Sequence, residues 1–421
     1  MIKHLKINLV FLSFFFLSSG AFAAGDNLTW EDCIREAARN HPDLIAAGEE
    51  VKQSEAGKSI AASALFPQVD ASLAATTAKT ASGDTNDNYS YGMTGQQLIF
   101  DGTKTVQDVK AALEDINASK QNFKYASVTV RYNLRSAYIR LLKAQESLKI
   151  TEEIYEIRRS NLELITLRYE SGLEHKGALL TAEADLASAN YQVLQAQRNL
   201  EVAQRRLTKE MGRKQFTPVF VKGDFEVRSK GEGKPDFEAI AQNNPSLRKI
   251  SAQENSAAFS LKSAYANFSP ELLGQAGAGK SSAHWPPEND DWNAGLTLSV
   301  PIFEGGLRLA QVSQAKAYLN QIKENKRSIR DSLVLALEEK WALFKDALTN
   351  VGVQYKTLIA TEERSKIAQA EYSLGLITFD NWTIIENNLV TQKNAYLDAR
   401  ADALTAEAGW IQAKGETLEY E

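Results

Sequence analysis

Residues 274–281 are the part of this chain that most resembles a site for chemistry. They read GQAGAGKS and match the GxxxxGK[ST] pattern, which binds phosphate when it follows a buried strand and opens a helix. Here a helical segment precedes the pattern, and Pro286 and Pro287 follow too soon for a helix to begin at Lys280. We therefore expect the glycines to serve a strand or a bend, and we do not expect a nucleotide site.

The other reactive residue types are scattered along the chain. The sequence has 4 histidines, 3 methionines and one cysteine, Cys33, and none of them stands at a metal-ligand spacing. It contains no GxSxG, HExxH or CxxC pattern, and no Ser/His/Asp set can be placed on one face of an element. This distribution predicts that the protein is not an enzyme and holds no metal or cofactor.

Two segments share a Tyr-x-x-Gly-Leu pattern that has two interpretations. The pattern is formed by Tyr169, Gly172, Leu173, Tyr372, Gly375 and Leu376. In the first interpretation the tyrosine closes an apolar seam and the glycine ends a helix in the left-handed conformation. In the second, the leucines and the surrounding surface dock helices of a partner protein. The sequence leaves both interpretations open.

Four carboxylates lie close behind these segments. Glu183 and Asp185 follow the first, and Asp380 and Glu386 follow the second. If the segments surround a pore, rings of carboxylates would favour cations, and their mutual repulsion would assist gating. Most acidic residues on a helix are simply solvated, so these four are candidates for a pore constriction.

Both segments belong to a repeat that runs through the chain. Residues 40–44 read NHPDL, and 203 residues later residues 243–247 read NNPSL. The same displacement relates Pro67 to Pro270 and residues 100–102 to residues 303–305. A repeat without gaps predicts two copies of one structural unit, at residues 28–211 and 236–417. The connector at residues 212–235 is too short for a core of its own.

Residues 1–23 have the features of a secretory signal peptide. Lys3 and Lys6 precede an apolar run, and residues 21–23 read AFA, a small-x-small cleavage pattern. Without this segment the chain has 46 basic and 53 acidic residues, which disfavours nucleic acid as a partner. Cys33 lies too far beyond the cleavage pattern to carry a lipid anchor. We expect residues 24–421 to form one exported unit.

Four segments alternate between apolar and polar side chains, as strands do. They lie at about residues 67–80, 89–100, 270–283 and 291–302, long enough to cross a bilayer with tilt. Tyr89 and Trp292 stand at the loop ends, where aromatic girdles of membrane barrels lie. The alternative is a soluble hairpin with one face on a core. In a membrane, four strands cannot close a barrel and an open edge is not tolerated, so several copies must share one barrel.

Very long helices follow each strand pair. Residues 103–169 contain no proline or glycine, and residues 307–372 contain only Gly352, so each helix would be about 100 Å long. Apolar residues recur every seven positions in these helices and in the helices that return, which is typical of coiled coils. We expect two antiparallel hairpins with tips at residues 170–177 and 373–381. A shorter helix at residues 28–65 precedes the strands.

The chain is similar to the TolC-like outer-membrane efflux family. The resemblance rests on an Asn-x-Pro-x-Leu helix, a Leu-x-x-x-Pro entry into the strands, the strand exit at residues 302–306 and the Tyr-x-x-Gly-Leu tips. It covers both repeats. One departure is that residues 382–386 read WTIIE where family members often carry an aliphatic pair and an acid. Asp380 and Glu386 therefore do not inherit the family's acidic constriction.

The resemblance implies a specific fold and function. The fold is a homotrimer in which four strands per copy complete a 12-stranded barrel in outer-membrane lipid, continued across the periplasm by an α-barrel of coiled-coil hairpins. The function is a passive exit duct of a tripartite efflux or type I secretion system. An inner-membrane transporter and a periplasmic adaptor would open its lower end, with the six tip residues as the contact. A periplasmic adaptor and a structural coiled-coil envelope protein are the alternatives.

Overall fold

The structure is a computed structural model that describes residues 26–79, 83, 85–225 and 233–418. The predicted signal peptide lies outside these residues. Repeat one contains β1 (Asp26–Leu28), α1 (Trp30–Asn40), α2 (Pro42–Ser63), β2 (Gln68–Lys79), β3 (Thr85–Phe100), α3 (Lys104–Glu170) and α4 (Lys176–Glu210). The connector contains β4 (Val219–Val221). Repeat two contains α5 (Phe237–Asn243), α6 (Pro245–Ala266), β5 (Glu271–Ser282), β6 (Asn289–Ser299), α7 (Leu307–Ser373) and α8 (Phe379–Lys414).

The repeat seen in the sequence is also a repeat in structure. Helices α3 and α7 both have 67 residues, and α2 and α6 both have 22, and in each pair the bounds differ by 203 positions. Strand β2 pairs with β3 so that Gln68 lies opposite Gln96, and β5 pairs with β6 so that Glu271 lies opposite Ser299, again displaced by 203. The two strand hairpins therefore have the same register.

The hairpins α3–α4 and α7–α8 confirm the predicted long antiparallel pairs. At 1.5 Å per residue, α3 and α7 are each about 100 Å long. In α4 the buried residues include Ala178, Leu207 and a row of alanines spaced seven residues apart. The alanines are Ala182, Ala189, Ala196 and Ala203. Small side chains allow two helices to approach closely, which explains why alanine occupies this seam.

The prediction of a single helix at residues 28–65 is wrong, because the helix is interrupted at His41. Pro42 is the first residue of α2, and His41 before it has an extended conformation with φ −68° and ψ 123°. A residue before proline avoids the helical region, since the proline ring clashes with its backbone. His41 Nδ1 then accepts a hydrogen bond from the Asp43 amide at 3.2 Å, and Asn244 caps α6 in the same way.

The connector contributes a small sheet that the sequence did not reveal. β1 pairs in parallel with β4, with Leu28 opposite Val221. Val219 and Val221 are buried in the largest apolar cluster, which α1, α3 and α8 also line. Cys33 is fully buried in the same cluster, and this burial raises the pKa of its thiol to about 12. The connector is thereby fixed to the middle of the long helices.

The four long strands form one antiparallel sheet in the order β2-β3-β5-β6. The predicted strand bounds lie within two residues of β2 and β5, whereas β3 begins four residues earlier than expected. The polar residues 85–88 lie before the predicted strand, but they pair with residues 76–79 in an extended hairpin. Backbone pairing extends β3 here although the side chains are not apolar.

Each face of the sheet has one chemical character. One face carries mainly apolar and aromatic side chains, among them Leu73, Tyr91, Met93, Trp292 and Leu298, and the opposite face carries small and polar ones. Every residue of β2 and β6 is exposed, and the four apolar clusters contain no residue of this sheet. The alternative of a soluble hairpin packed on a core is therefore wrong.

The GxxxxGKS segment lies within β5, in the middle of this sheet. Gly92 and Gly279 face each other across the β3–β5 ladder, and a Cβ on Gly279 would lie 2.4 Å from the carbonyl oxygen of Tyr91. Lys280 binds Asp290 on β6, with 3.2 Å between Nζ and Oδ1. The glycines thus allow close approach of two strands, as the sequence predicted.

Candidate functional site at the hairpin tips

The two hairpin tips have nearly identical backbone turns. Gly172 and Gly375 have φ of +72° and +75°, and the next residue's amide bonds back to the carbonyl oxygen of Arg168 or Glu371. These contacts are those of a helix end closed by a left-handed glycine. The first interpretation's prediction that the glycine ends the helix in the left-handed conformation is confirmed for both repeats.

The tyrosines of the two tips have different environments. Tyr372 is only 2% exposed, whereas Tyr169 is 38% exposed. The ring of Tyr372 lies parallel to the indole of Trp382, with 4.5 Å between centroids, and Phe379 contacts its edge. Tyr372 therefore closes an apolar seam as predicted, whereas Tyr169 leaves its seam open within one copy of the chain.

The cluster around Tyr372 joins the two repeats. Repeat one contributes Ile165, Ala178 and Ala182, and repeat two contributes Ala368, Phe379 and Trp382. Because both hairpins supply buried residues, neither tip can move away without exposing apolar surface. Burying one large side chain is worth about 1.5–3 kcal/mol, so this contact fixes the tips side by side.

Two polar contacts surround Tyr372. Its hydroxyl donates a hydrogen bond to Glu174 Oε2 at 2.7 Å, and the guanidinium of Arg168 lies 4.8 Å from its ring centroid. Burial, followed by the hydrogen bond to Glu174, raises the pKa of the Tyr372 hydroxyl. Trp382 Nε1 and Arg168 Nε are buried and have no hydrogen-bond partner among the described residues, and each such atom costs about 1–3 kcal/mol. The closed cluster thus combines strong packing with unsatisfied polar atoms.

Exposed leucines form the outer surface of both tips. Leu173, Leu374 and Leu376 are 68–76% exposed. They follow or flank the turn glycines, at the end of the hairpins farthest from the sheet. An apolar surface at this position fits the docking interpretation, which we take up below.

The four candidate constriction carboxylates do not come together. Glu183 and Asp380 are exposed on α4 and α8, and Asp185 lies 3.6 Å from Arg158. Glu386 is buried and accepts a hydrogen bond from the Ser365 hydroxyl within its own hairpin. This placement argues against Glu386 as a lumen residue, because its carboxylate is already enclosed between α7 and α8.

Sequence reasoning missed Arg168 and Glu174. A signal was nevertheless present, since these positions differ between the repeats. Their counterparts 203 residues later are Glu371 and Ile377, on either side of the repeated Tyr, Gly and Leu. A position at which a faithful repeat changes charge indicates that the two copies have different neighbours.

Within the described residues, no group of three or more His, Cys, Asp or Glu side chains could hold a metal ion. In the same residues, no helix has the length and hydropathy of a membrane span. Comparison with known proteins then gives the family. The sequence model of the family described as outer membrane efflux protein matches residues 33–213 and 237–416, one match per repeat. The chain belongs to this family.

Relatives and solved structures agree with this assignment. The outer membrane efflux protein BepC of Brucella suis is 21% identical over 402 residues, covering 94% of this chain and 87% of the relative. The outer membrane protein TolC of Escherichia coli is 22% identical over 346 residues, covering 77% and 69%. The outer membrane channel MtrE of Neisseria gonorrhoeae has the same fold, with a TM-score of 0.81, 17% identity and coverage of 100% and 99%.

Membership in the efflux family settles several predictions. The protein is an outer-membrane channel that reaches into the periplasm and serves as an exit duct for efflux or secretion. Its mixed architecture of helical hairpins and antiparallel strands is that of such channels. A periplasmic adaptor and a structural coiled-coil protein, the two alternatives, are therefore rejected. The family and its structural neighbours are channels.

Proposed function

We propose that three copies of this chain form one duct, in which 12 strands cross the outer membrane and six hairpins continue through the periplasm. The observation that supports this proposal is the sheet. Its apolar face suits lipid, its polar face suits a wet lumen, and both of its edge strands lack partners within the described residues. In lipid, unpaired backbone groups cost several kcal/mol each, so the edges must be closed by further copies.

The duct supplies no energy of its own in this proposal. Its glycine-rich GKS segment is part of a transmembrane strand, so it offers no helix N-terminus for a nucleotide phosphate. Energy and cargo selection then come from an inner-membrane transporter. Relatives carry names as different as pyoverdine export protein OpmQ and alkaline protease secretion protein AprF of Pseudomonas aeruginosa, and a polar lumen of general character suits such a range.

The tips dock the periplasmic adaptor. Leu173, Leu374 and Leu376 present apolar surface at the end of hairpins about 100 Å long, where a partner from the inner membrane would arrive. Adaptor helices could pack on these leucines in the manner of coiled coils. The turn glycines would fix the angle at which each tip is presented.

Membrane fractionation and conductance test the duct. We expect the protein in the outer-membrane fraction as a trimer that resists SDS until it is heated, and we expect stepwise conductance in planar bilayers. A soluble monomer that gives no conductance would overturn the proposal. The duct would also be rejected if the trimer formed but its conductance did not require the strands.

Substitutions at the tips test docking separately. Leu173→Asp together with Leu376→Asp should reduce cross-linking to the adaptor at least tenfold, because each leucine would be replaced by a charge that resists burial. The matched control is Leu173→Ala with Leu376→Ala, which removes contact area without adding charge and should have a smaller effect. Unchanged cross-linking in the aspartate variant, with the trimer intact, would reject the tips as the docking surface.

A further inference from the structure

Within the described residues the edge strands β2 and β6 have no outer partner, and the repeat predicts which residues of a second copy cover them. This inference rests on the trimer proposed above and adds its register. All residues of β2 and β6 are exposed, whereas the central strands β3 and β5 are partly buried against each other. Each copy therefore presents two complementary edges, one from each repeat.

The contact between repeats within one copy is the template. β3 of repeat one pairs with β5 of repeat two in antiparallel register, with Gly95 opposite Ala276 and Met93 opposite Ala278. The two hairpins share one internal register. Adding 203 to the residue numbers of β3 therefore gives β6, and subtracting 203 from those of β5 gives β2. The contact between copies can then repeat the contact within a copy, which is how a heterologous interface closes into a ring.

We infer that β6 of one copy pairs with β2 of the next in antiparallel register, with Leu298 opposite Leu73 and Leu296 opposite Ala75. The ladder extends from Trp292 opposite Lys79 to Ser299 opposite Ser72. Every pair follows from a β3–β5 pair by the same displacement. The partner is a second copy of this chain, because only the chain's own repeat supplies an edge with this register.

The faces of the sheet agree with this register. Leu296 and Leu298 lie on the apolar face of β6, and Leu73 and Ala75 lie on the apolar face of β2. The inferred pairing keeps these faces on one side of the barrel. A slip by one residue would place apolar side chains in the lumen and polar ones in lipid.

Gly295 gives a second agreement, because it lies on the open edge of β6. Its counterpart Gly92 is crowded by Gly279, with 3.2 Å between a Cβ at Gly92 and the Cα of Gly279, whereas a Cβ at Gly295 would meet nothing within 4 Å. The inferred register puts Thr76 of the next copy opposite Gly295. The space at Gly295 is thus on the edge that the neighbouring strand would occupy.

The strand exit gives a third agreement. Ile302 and Phe303 are 93% and 87% exposed, the largest exposures among the apolar residues described. The counterpart of Phe303 is Phe100, which pairs with Leu272, so Phe303 would lie opposite Val69 of the next copy. Pro301 has no amide hydrogen to donate, which explains why the regular ladder of β6 stops at Ser299.

Cysteine pairs test the register in the intact protein in its membrane. Opposite residues have Cα atoms about 4.5–5.5 Å apart, within disulfide range. Leu73→Cys with Leu298→Cys and Ala74→Cys with Thr297→Cys sample both kinds of opposite pair, since neighbouring pairs alternate between hydrogen-bonded and not. On mild oxidation, we expect most of the chain to run as covalent dimers and trimers in SDS for at least one pair.

Two controls make the outcome decisive. In Leu73→Cys with Leu296→Cys, both positions are as exposed as in the test pair, but they lie two residues out of the inferred register. This control should cross-link at least tenfold less. Leu73→Cys with Tyr91→Cys joins opposite residues within one copy, so it should oxidise without forming a ladder. Cys33 is buried, and a Cys33→Ala background checks that it does not contribute.

The results separate the register from the trimer. A heat-modifiable trimer in which the shifted pair cross-links, or in which only the internal control oxidises, would overturn the register and leave the duct intact. Absence of any trimer would overturn the proposed assembly itself. A ladder that passes beyond trimers would contradict a closed ring of three.

Discussion

The two hairpin tips have the same turn and opposite surroundings. Gly172 and Gly375 adopt almost the same φ, yet Tyr372 is enclosed by Phe379, Trp382 and the side chains of repeat one, while Tyr169 is exposed. A Tyr-x-x-Gly-Leu sequence thus determines the turn but not the burial of its tyrosine. Burial depends on the hairpin that lies beside it.

The contrast extends along the seam between α3 and α8. Lys143 binds Asp398 at 2.7 Å, and Lys393 binds Glu153 at 2.7 Å, so polar pairs link the repeats within a copy. In the proposed trimer, the positions that correspond to these pairs between copies are Asp346 with Gln195, and Lys356 with Asn190. Neither can form an ion pair. The repeat therefore preserves its apolar seams but not the polar contacts across them.

The largest expected effect is that of removing the enclosed ring. Tyr372→Ala should destabilise the tip by about 3–5 kcal/mol, since it leaves a cavity beside Trp382. Tyr169→Ala, its repeat counterpart, should change the isolated chain by less than about 1 kcal/mol. Hydrogen exchange of the tip amides measures both, and equal loss of protection in the two variants would break the comparison.

The carboxylate that binds Tyr372 should matter less than the ring itself. Glu174→Ala removes the acceptor of the tyrosine hydroxyl and should cost about 1–3 kcal/mol, because a buried donor is left unpaired. Glu170→Ala, at the exposed end of α3, is the matched control and should have little effect. The same exchange experiment distinguishes them. A Glu174 variant that behaves like the control would show that packing alone holds the tip.

The turn glycines should respond alike in both repeats. Gly172→Ala and Gly375→Ala would each cost about 1–2 kcal/mol, because an L-residue is strained at positive φ. A Cβ at either position meets no atom within 4 Å, so the backbone alone determines the effect. Thermal unfolding followed by circular dichroism would measure it. Unequal shifts would mean that the turns differ more than their geometry indicates.

Alkaline pH should weaken the enclosed tip. The pKa of Tyr372 is raised in the folded protein, so its contribution to stability is complete below the ordinary tyrosine pKa, near 10. The contribution is lost as pH rises from there toward the raised pKa. Tip protection in the wild type should therefore decline above pH ~10, and Tyr372→Phe should remove this part of the decline. A decline that persists unchanged in the phenylalanine variant would assign it to other groups.

Local signals in the sequence predicted the long helices and the strand pairs well. Seven-residue periodicity and alternation of apolar residues depend on neighbours in the chain, and α3, α7, β2 and β5 lie close to the expected positions. The predictions failed where pairing with a distant segment determines the secondary structure. β4 is a strand because it pairs with β1, and polar residues 85–88 extend β3 because β2 is beside them.

The candidate site shows the same division. Gly172 and Gly375 could be assigned from sequence, since positive φ is a property of one residue and its turn. The burial of Glu386 beside Ser365 could not be assigned from sequence, because the sequence does not distinguish a buried acidic residue of a helix from a solvated one. Arg168 and Glu174 act through Tyr372, which is about 200 positions away in the chain.

By itself, the sequence determined the period of each helix, the alternation of each strand and the left-handed turn at each tip. It also determined that the unit is made twice. The tertiary structure alone decided which tyrosine is buried and which strands are left as edges. The physical reason is that a repeat gives both halves the same local energies, whereas packing gives each half different neighbours, and burial depends on those neighbours.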